Sequence, residues 1–223
     1  MATAQTEPGT QPETPRQRYR TQVQEEIKKH AWEQIATAGA SALSLNAIAK
    51  QMGMSGPALY RYFANRDELI TALIRDAYQS LSDTVRGAAA DGGGLRGLAH
   101  ALRTWALDDP QRYLLIYGTP VPGYQAPEDT TRLANEVMAA LLDASAAGGF
   151  RALPPSPLQD HLADHSTWAG PHSARPENVH RALICWTRLH GVLSLEVSGQ
   201  FHGMGFDPAL LYAAEVEAIA AGD

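Results

Sequence analysis

The stretch SLNAIAKQMGMSGPALYRYF, residues 44–63, decides the fold because it predicts two short helices separated by one turn. Ser44 is a natural N-cap for the first helix, since its side chain can accept a hydrogen bond from a backbone N–H of the first turn. Four apolar residues then follow the i, i+3, i+4, i+7 spacing of one buried helix face: Leu45, Ile48, Ala49 and Met52. Gly53 can adopt the left-handed conformation without a Cβ penalty, so we expect the first helix to end there.

A second helix is predicted from about Gly56 to Phe63. Ser55 is its expected N-cap, and Pro57 fits the first turn because the N–H that proline lacks would have no partner there. Two helices joined by a short turn that contains glycine form a helix-turn-helix unit, whose second helix can lie in the DNA major groove. The free surface of the second helix carries three polar side chains: Tyr60, Arg61 and Tyr62. The alternative is an ordinary helical hairpin with no role in binding.

This segment resembles the DNA-binding domain of the TetR family of bacterial transcriptional regulators. The resemblance covers VQEEIKKHAWEQIATAG (residues 23–39), LSLNAIAKQMGMS (43–55) and GPALYRYFANRDELITALI (56–74). It implies an obligate homodimer on a palindromic operator in double-stranded DNA. It further implies an all-helical C-terminal domain for ligand binding and dimerisation, and repression that a small molecule relieves.

The resemblance divides the expected DNA contacts into two groups. Positions that commonly touch phosphates are occupied by Ser44, Tyr60, Tyr62 and Arg66. Positions that face base edges are occupied by Ser55, Gly56, Pro57, Ala58 and Arg61. Arg61 is the expected determinant of sequence specificity, and the alternative is that it pairs with an acidic neighbour on the protein.

Charge is distributed unevenly along the 223 residues, whose formal net charge is −6. Residues 16–86 carry ten Lys or Arg and seven Asp or Glu, whereas residues 87–223 carry eight and fifteen. The positive part contains the helix-turn-helix, as expected where one module meets phosphate and the other does not. The absence of a long apolar run and of a signal-peptide core, together with the single Cys185, favours a cytoplasmic protein.

The predicted fold is all-α, with an N-terminal three-helix helix-turn-helix domain followed by a larger helical bundle. We expect a disordered tail at 1–15, the DNA-binding domain at 16–80 and the ligand-binding and dimerisation domain at 81–223. Arg16, Arg18 and Arg20 can form either a basic arm that reaches DNA or the solvated start of the first helix. Later helices are predicted at 66–86, 95–109, 130–147, 157–168, 179–200 and 208–221, with a helical RYLLIYG segment at 112–118 and a flexible joint at 88–94.

The helix at 179–200 is apolar nearly all round, which predicts that it is buried on two sides. One side would meet its own domain and the other a second copy of the chain. The expected dimer interface comprises Trp186, Leu189, Leu193, Val197, Leu210, Leu211 and Ala214. WTRLHG (186–191) and PQRYLLIYGTPVPGY (110–124) resemble the Trp-His-Gly class of TetR C-terminal domains.

Five aromatic residues of the second module predict a mainly apolar ligand pocket with a few hydrogen-bonding groups: Trp105, Tyr113, Tyr117, Trp168 and His190. Taken singly, each of them is better explained as a core residue, and the pocket is predicted from the five together. Its ligand would be a mid-sized, largely hydrophobic or aromatic effector. We predict no cofactor and no metal site, although His161, His165 and His172 are of metal-ligating types.

Catalytic motifs such as a P-loop, a nucleophile elbow or a zinc-binding H-E-x-x-H are missing from the sequence, which argues against an enzyme. The sequence therefore predicts a ligand-responsive, sequence-specific DNA-binding regulator, with a repressor that a small molecule releases as the preferred mode. The alternative is a constitutive DNA-binding protein whose C-terminal domain serves only dimerisation.

Overall fold

The computed structural model describes residues 14–148, 154–172 and 175–221. All regular elements in these ranges are helical, which confirms the predicted all-α class. The α-helices are α1 (Pro15–Ala38), α2 (Leu45–Gln51), α3 (Gly56–Leu59), α4 (Arg66–Ala90), α5 (Gly94–Asp108), α6 (Pro110–Tyr117), α7 (Glu128–Ala147), α8 (Pro157–Asp164), α9 (Pro176–Val197) and α10 (Pro208–Ala221). Two short 3-10 helices cover Ala40–Ala42 and Thr167–His172.

The chain forms two compact units that divide between Leu69 and Ile70. The predicted boundary after residue 80 therefore falls inside the second unit. Both the predicted and the observed boundary lie within α4, which is one continuous helix from Arg66 to Ala90. The predicted joint at 88–94 is also shorter than expected, since α4 continues to Ala90 and α5 begins at Gly94. Within the described ranges, no helix has the length and apolar character needed to cross a membrane.

Helix α1 begins earlier than the predicted start of the first helix. Thr14 caps it through a capping box in which its side chain and that of Gln17 each accept a backbone hydrogen bond. Residues 14 and 15 therefore belong to the helix rather than to the predicted tail, and residues 1–13 lie outside the described part. Arg16, Arg18 and Arg20 occupy the exposed first turns of α1, as the helix-start alternative expected. Four residues at helical spacing form the buried face of α1: Val23, Ile27, Ala31 and Ile35.

Helices α2 and α3 form the predicted helix-turn-helix. The Ser44 side chain accepts a hydrogen bond from the Ala47 N–H at 3.3 Å, and Gly53 has a φ of +64°, which confirms the cap and the turn. The prediction that the second helix reaches Phe63 is wrong, because α3 ends at Leu59 and residues 60–62 form a hydrogen-bonded turn. Ser55 is at the N-cap position, but its side chain makes no capping hydrogen bond.

The core of the second unit lies between α9 and the helices that pack on it, α7, α8 and α10, with α5 and α6 completing the bundle. Leu189 and Leu193 are 1% and 0% exposed in this core. Their predicted place in the dimer interface is therefore wrong, because a side chain buried in its own subunit has no surface left for a partner. Trp186 and Val197 are partly buried against the same core.

Several predicted helix ends shift by a few residues. Helix α9 runs from Pro176 to Val197 rather than over 179–200, because a turn follows in which Gly199 has a φ of +72°. The helix predicted at 157–168 ends at Asp164 and is followed by the 3-10 helix Thr167–His172. The helix predicted at 95–109 ends at Asp108, and Pro110 begins α6, with Asp109 accepting a hydrogen bond from the Arg112 N–H.

Candidate functional site

Residues 55–62, which we call the recognition turn, form the exposed end of the helix-turn-helix. Leu59 and Phe63 are 0% and 4% exposed and anchor the turn on the core of the first unit. Between these anchors the chain presents Tyr60, which is 44% exposed, and Arg61, which is also exposed. Within the described residues Arg61 makes no ion pair with an acidic side chain, which was the alternative to a role in DNA binding.

Arg20 of α1 holds the far end of the recognition turn in place. Its guanidinium donates a hydrogen bond to the Arg61 carbonyl oxygen at 3.3 Å and lies 5.7 Å from the centroid of the Tyr62 ring. An arginine on an aromatic face is held by a cation–π attraction. The bond uses only the backbone of Arg61, so the Arg61 side chain stays available to a ligand. The sequence analysis placed Arg20 in a basic segment with Arg16 and Arg18. Its contacts with Arg61 and Tyr62 could not be predicted, because no sequence pattern links these positions.

Arg66 and Ser44 are already engaged inside the first unit. Arg66 donates hydrogen bonds from Nη2 to the carbonyl oxygens of Ala40 at 2.8 Å and Ser41 at 3.1 Å. The Ser44 N–H donates to Gln34 Oε1 at 3.0 Å, while its hydroxyl caps α2. The Arg66 bonds hold the start of α4 on the 3-10 helix that follows α1, and the Ser44–Gln34 bond holds the start of α2 on α1. Contact of either residue with a phosphate stays a prediction.

Positive charge is concentrated on the surface of the first unit. Residues 14–69 carry eight Lys or Arg and five Asp or Glu. Exposed basic residues in this range are Arg16, Arg18, Arg20, Lys29, Lys50 and Arg61. A surface of this kind attracts the phosphate backbone of nucleic acid independently of sequence.

A group of five side chains, Tyr78, Tyr113, Tyr117, Trp186 and His190, forms what we call the tyrosine–histidine cluster of the second unit. The Tyr113 hydroxyl and His190 Nδ1 share a hydrogen bond of 3.0 Å. The ring centroid of His190 lies 4.4 Å from that of Tyr117 and 4.1 Å from that of Trp186. Tyr117 also contacts Tyr78, at 6.2 Å between centroids. The cluster therefore joins α4, α6 and α9.

Three of the five predicted pocket residues come together in this cluster, and two do not. Trp105 is buried and donates a hydrogen bond to Ser80 Oγ at 3.1 Å. Trp168 is 44% exposed in the second 3-10 helix, so it presents no enclosed surface. Trp186 was predicted for the dimer interface, although its spacing of four residues from His190 on one helix was a signal for a shared face.

Burial shifts the pKa of every titratable group of the cluster in the direction that favours its uncharged form. It raises the pKa of Tyr113 to about 12 and lowers the pKa of His190 to about 4. The pKa of Tyr117 is also raised, first by burial and then by its two tyrosine neighbours. Two polar atoms of the cluster are buried without a hydrogen-bond partner, Tyr117 Oη and His190 Nε2. Such atoms are rare in folded proteins because they cost free energy.

A small enclosed cavity lies against the cluster. It is lined by Val85, Leu98, Leu102, Val137, Leu141, Trp186, Leu189 and His190. Its free volume is about 10 Å³, about what one water molecule needs. His190 is the polar member of an otherwise largely apolar lining.

An exposed apolar surface surrounds the turn between α9 and α10. Its members and their exposed fractions are Leu195 at 46%, Met204 at 61%, Phe206 at 44% and Leu210 at 70%. The ring of Phe206 packs on that of Phe201 at 5.2 Å. Of the predicted interface residues, Leu210 and Ala214 are exposed and Leu211 is partly so. Met204 and Phe206 were missed because they lie in a turn, where no helical pattern reveals them.

His161 and His165 of the predicted histidine group stack with ring centroids 4.0 Å apart. His165 Nδ1 shares a hydrogen bond of 2.9 Å with the His161 carbonyl oxygen. The side chain of His172 lies outside the described part. In the part of the chain that the structure describes, no three His, Cys, Asp or Glu side chains are grouped as a metal site.

Comparisons with known proteins agree with this architecture. Residues 27–73 match the model of the bacterial regulatory proteins of the tetR family, and residues 95–219 match that of the tetracyclin repressor-like C-terminal domain. The HTH-type transcriptional regulator Rv1816 of Mycobacterium tuberculosis is 37% identical over 218 residues, which cover 91% of this chain and 92% of the relative.

Solved structures show the same fold. The regulatory protein SCO4313 is 66% identical, with a TM-score of 0.85 over 92% of this chain and 98% of the other. The TetR regulator PfmR of Thermus thermophilus superimposes with a TM-score of 0.57 over 88% of this chain and 97% of the other, at 16% identity. These relatives are transcriptional regulators and not enzymes. With a DNA-binding helix-turn-helix and a helical second unit that both match, this chain is a transcriptional regulator of the TetR family.

Proposed function

We propose that the protein is a homodimeric repressor that a small, largely apolar molecule releases from a palindromic operator. The observation that carries this proposal is the tyrosine–histidine cluster, where two buried polar atoms have no hydrogen-bond partner and where His190 lines a small apolar cavity. A core that served only packing would gain stability by replacing these atoms with apolar ones. Their presence is better explained by a ligand that supplies the missing hydrogen bonds.

Dimerisation is supported by the exposed apolar surface of Leu195, Met204, Phe206 and Leu210. Several large apolar side chains exposed around one turn are typical of an interaction site. A two-fold dimer places two recognition turns on one side of a DNA duplex. Half-sites about 34–36 Å apart would then be read by two successive major-groove contacts.

We keep the predicted division of the DNA contacts, with one change that concerns Arg66. Arg61 and the tip formed by Ser55, Gly56, Pro57 and Ala58 are proposed to read bases. Tyr60 and Tyr62 are proposed to contact the phosphate backbone of DNA and so to position the protein on the duplex. Because the Nη2 donor of Arg66 is already used by two carbonyl oxygens, we assign Arg66 mainly to the rigidity of the first unit.

Coupling between ligand and DNA is proposed to run through α4, the helix that begins in the first unit and continues to Ala90. Inside the second unit, α4 contributes Thr71, which shares a 3.0 Å hydrogen bond with the Tyr124 hydroxyl, and Tyr78, which contacts Tyr117. A ligand that displaces Tyr117 would therefore act on α4 directly. Release follows if the ligand binds better to a conformation whose two recognition turns no longer match successive grooves.

The test begins with selection of the operator from random DNA by the full chain. Operator affinity is then measured by fluorescence anisotropy with and without fractionated small-molecule extracts, and an active compound is titrated calorimetrically into free and operator-bound dimer. Linkage requires that DNA weaken ligand binding by the same factor as ligand weakens DNA binding. Equal ligand affinities for the two forms would support the alternative, a DNA-binding protein whose second unit only dimerises.

A further inference from the structure

A groove lies on the surface of the second unit, and Tyr78, one of its lining residues, contacts Tyr117. It is bordered by α4, the end of α6, the 118–126 segment and the start of α7. Ile74, Tyr78, Gly118, Val121, Tyr124 and Thr130 are among its lining residues. Its volume is about 350 Å³, within the range of small-molecule sites.

Tyr117 connects this groove with the cavity. On the groove side its ring meets Tyr78 edge to face, with 6.2 Å between centroids. On the cavity side it lies 4.4 Å from His190 and 5.5 Å from Trp186, both of which line the cavity. Tyr117 lines neither space itself, but its ring packs between a residue that lines the groove and two residues that line the cavity.

The hydrogen-bond pattern decides what His190 offers at Nε2. A neutral imidazole carries one N–H, and the Tyr113 hydroxyl carries one O–H. If Tyr113 donates to Nδ1, the pair leaves a single unmatched group, the Nε2–H donor. If Nδ1–H donates instead, both the Tyr113 O–H and the bare Nε2 lack partners. The first arrangement leaves fewer buried groups unpaired, so His190 presents Nε2–H as a donor.

Two unpaired donors therefore belong to side chains in direct contact, His190 Nε2–H and Tyr117 Oη–H. A carbonyl oxygen has two lone pairs and can accept from both. Charged partners for an ionic ligand are missing from the lining of the cavity. The guanidinium of Arg112 is held by Asp109 at 3.1 Å and Ser80 at 3.4 Å. Burial of an uncompensated charge here would be costly.

We propose that the groove and the cavity are two parts of one binding site separated by Tyr117, and that its ligand is an uncharged, mainly apolar molecule whose carbonyl-type acceptor is held by Tyr117 Oη and His190 Nε2. This inference rests on the proposed function, because it names the chemical class of the effector. It leaves the identity of the effector to the extract experiment.

Three planar probes of nearly the same shape test the proposal: acetophenone, α-methylstyrene and benzoate. The first presents a carbonyl oxygen, the second replaces it with a methylene group, and the third adds a negative charge. Each is titrated calorimetrically into the full-length protein without DNA. We expect acetophenone to bind about tenfold more tightly than α-methylstyrene, as one or two buried hydrogen bonds would give, and benzoate to bind most weakly. Equal binding of the three, tighter binding of benzoate, or no saturable binding of acetophenone would overturn the proposal.

Tyr117→Phe removes the hydroxyl and keeps the ring. The preference for acetophenone over α-methylstyrene should then fall several-fold, whereas Tyr212→Phe should leave it unchanged. Tyr212 is a suitable control because it is a buried tyrosine whose hydroxyl donates to the Ala99 carbonyl oxygen at 2.9 Å. An unchanged preference in Tyr117→Phe would exclude Tyr117 as the binding group. These titrations contain no DNA, so they test the ligand class separately from operator release. The probes can fail to bind as predicted while an extract compound still releases the operator. Conversely, acetophenone can bind as predicted while no compound releases the operator.

Discussion

The recognition turn and the tyrosine–histidine cluster are built from similar parts. Each includes residues of a short helix with proline in its first turn, α3 with Pro57 and α6 with Pro110, and each presents two tyrosines in or next to that helix. Their surroundings are opposite, since Tyr60 is 44% exposed and Tyr113 is 1% exposed. Unpaired polar groups cost nothing in the recognition turn, because water solvates them until DNA arrives. In the cluster they cost stability, so they indicate a binding role more strongly than exposed groups do.

The largest effect is expected at the recognition turn. Arg61→Ala should lower operator affinity by about 1–3 kcal/mol per half-site and relax the preference at one base pair, because the proposed base contact of Arg61 would be lost. Anisotropy titrations against the selected operator and single-base variants measure both quantities. Arg175→Ala, which removes an exposed arginine of the second unit, is the matched control and should change neither. A uniform loss over all sequences would make Arg61 a phosphate contact.

The cluster should make the second unit sensitive to acid. His190 has a folded-state pKa of about 4 against an ordinary value of 6.5, so below pH 6.5 the unfolded chain takes up a proton that the folded chain does not. Stability contributed by neutral His190 is therefore complete above pH 6.5 and lost as pH falls towards 4, by about 2–3 kcal/mol.

Urea titrations between pH 7 and pH 4 check this expectation. In His190→Gln the pH dependence should be flatter than in the parent chain by that amount. His100→Gln, at an exposed position of α5, should keep the full dependence. If the stability of the parent chain and of His190→Gln fell by the same amount between pH 7 and pH 4, His190 would take up its proton as readily in the folded chain as in the unfolded chain.

Arg66 and Arg61 are expected to have different roles in the first unit, the first in stability and the second in DNA binding. Arg66→Ala removes two hydrogen bonds to carbonyl oxygens, so the free energy of unfolding should fall by about 2 kcal/mol, within the range for bonds from charged donors. Arg61→Ala, at an exposed position, should change it by less than about 0.5 kcal/mol. Chemical denaturation followed by circular dichroism measures both. If Arg66→Ala left stability intact and only flattened the salt dependence of DNA binding, Arg66 would be a phosphate ligand.

The smallest effects are expected when a tyrosine hydroxyl is removed in three different environments. Tyr117→Phe should raise stability by about 1 kcal/mol, because it removes a buried hydroxyl without a partner. Tyr212→Phe should lower stability by about 1 kcal/mol, because its hydroxyl donates to the Ala99 carbonyl oxygen. Tyr60→Phe, at an exposed site, should stay within about 0.5 kcal/mol of the parent. Thermal melts at one pH rank the three, and a destabilised Tyr117→Phe would mean that the hydroxyl has a partner in solution.

Local patterns predicted the helix-turn-helix well because its determinants lie close together in sequence. The Ser44 cap, the left-handed Gly53 and the anchors Leu59 and Phe63 each act within a few residues. The end of α3 was less predictable, since the Phe63 N–H still bonds to the Leu59 carbonyl oxygen while the chain between them has left the helix. The spacing of apolar residues is the same whether the last four residues form a turn or one more turn of α-helix, so the sequence pattern does not distinguish the two.

Contacts between distant segments set the limit of prediction in the second unit. An all-round apolar helix does not reveal which side faces its own core, so Leu189 and Leu193 were assigned to a partner that the buried side cannot reach. The hydrogen bond between Tyr113 and His190 joins α6 to α9, and no pattern in either helix encodes it. The cluster's unpaired atoms follow from this long-range packing, which only the structure supplies.

The contact between Trp186 and His190 gives the protein its own optical reporter. The indole lies 4.1 Å from the imidazole and 5.5 Å from the Tyr117 ring. Emission from an indole responds to neighbouring charge and polarity, so a proton on His190 or a molecule beside Tyr117 would change the fluorescence of Trp186 without any added label. Occupancy of this region can therefore be followed in real time, in the unmodified chain, while the operator is bound or free.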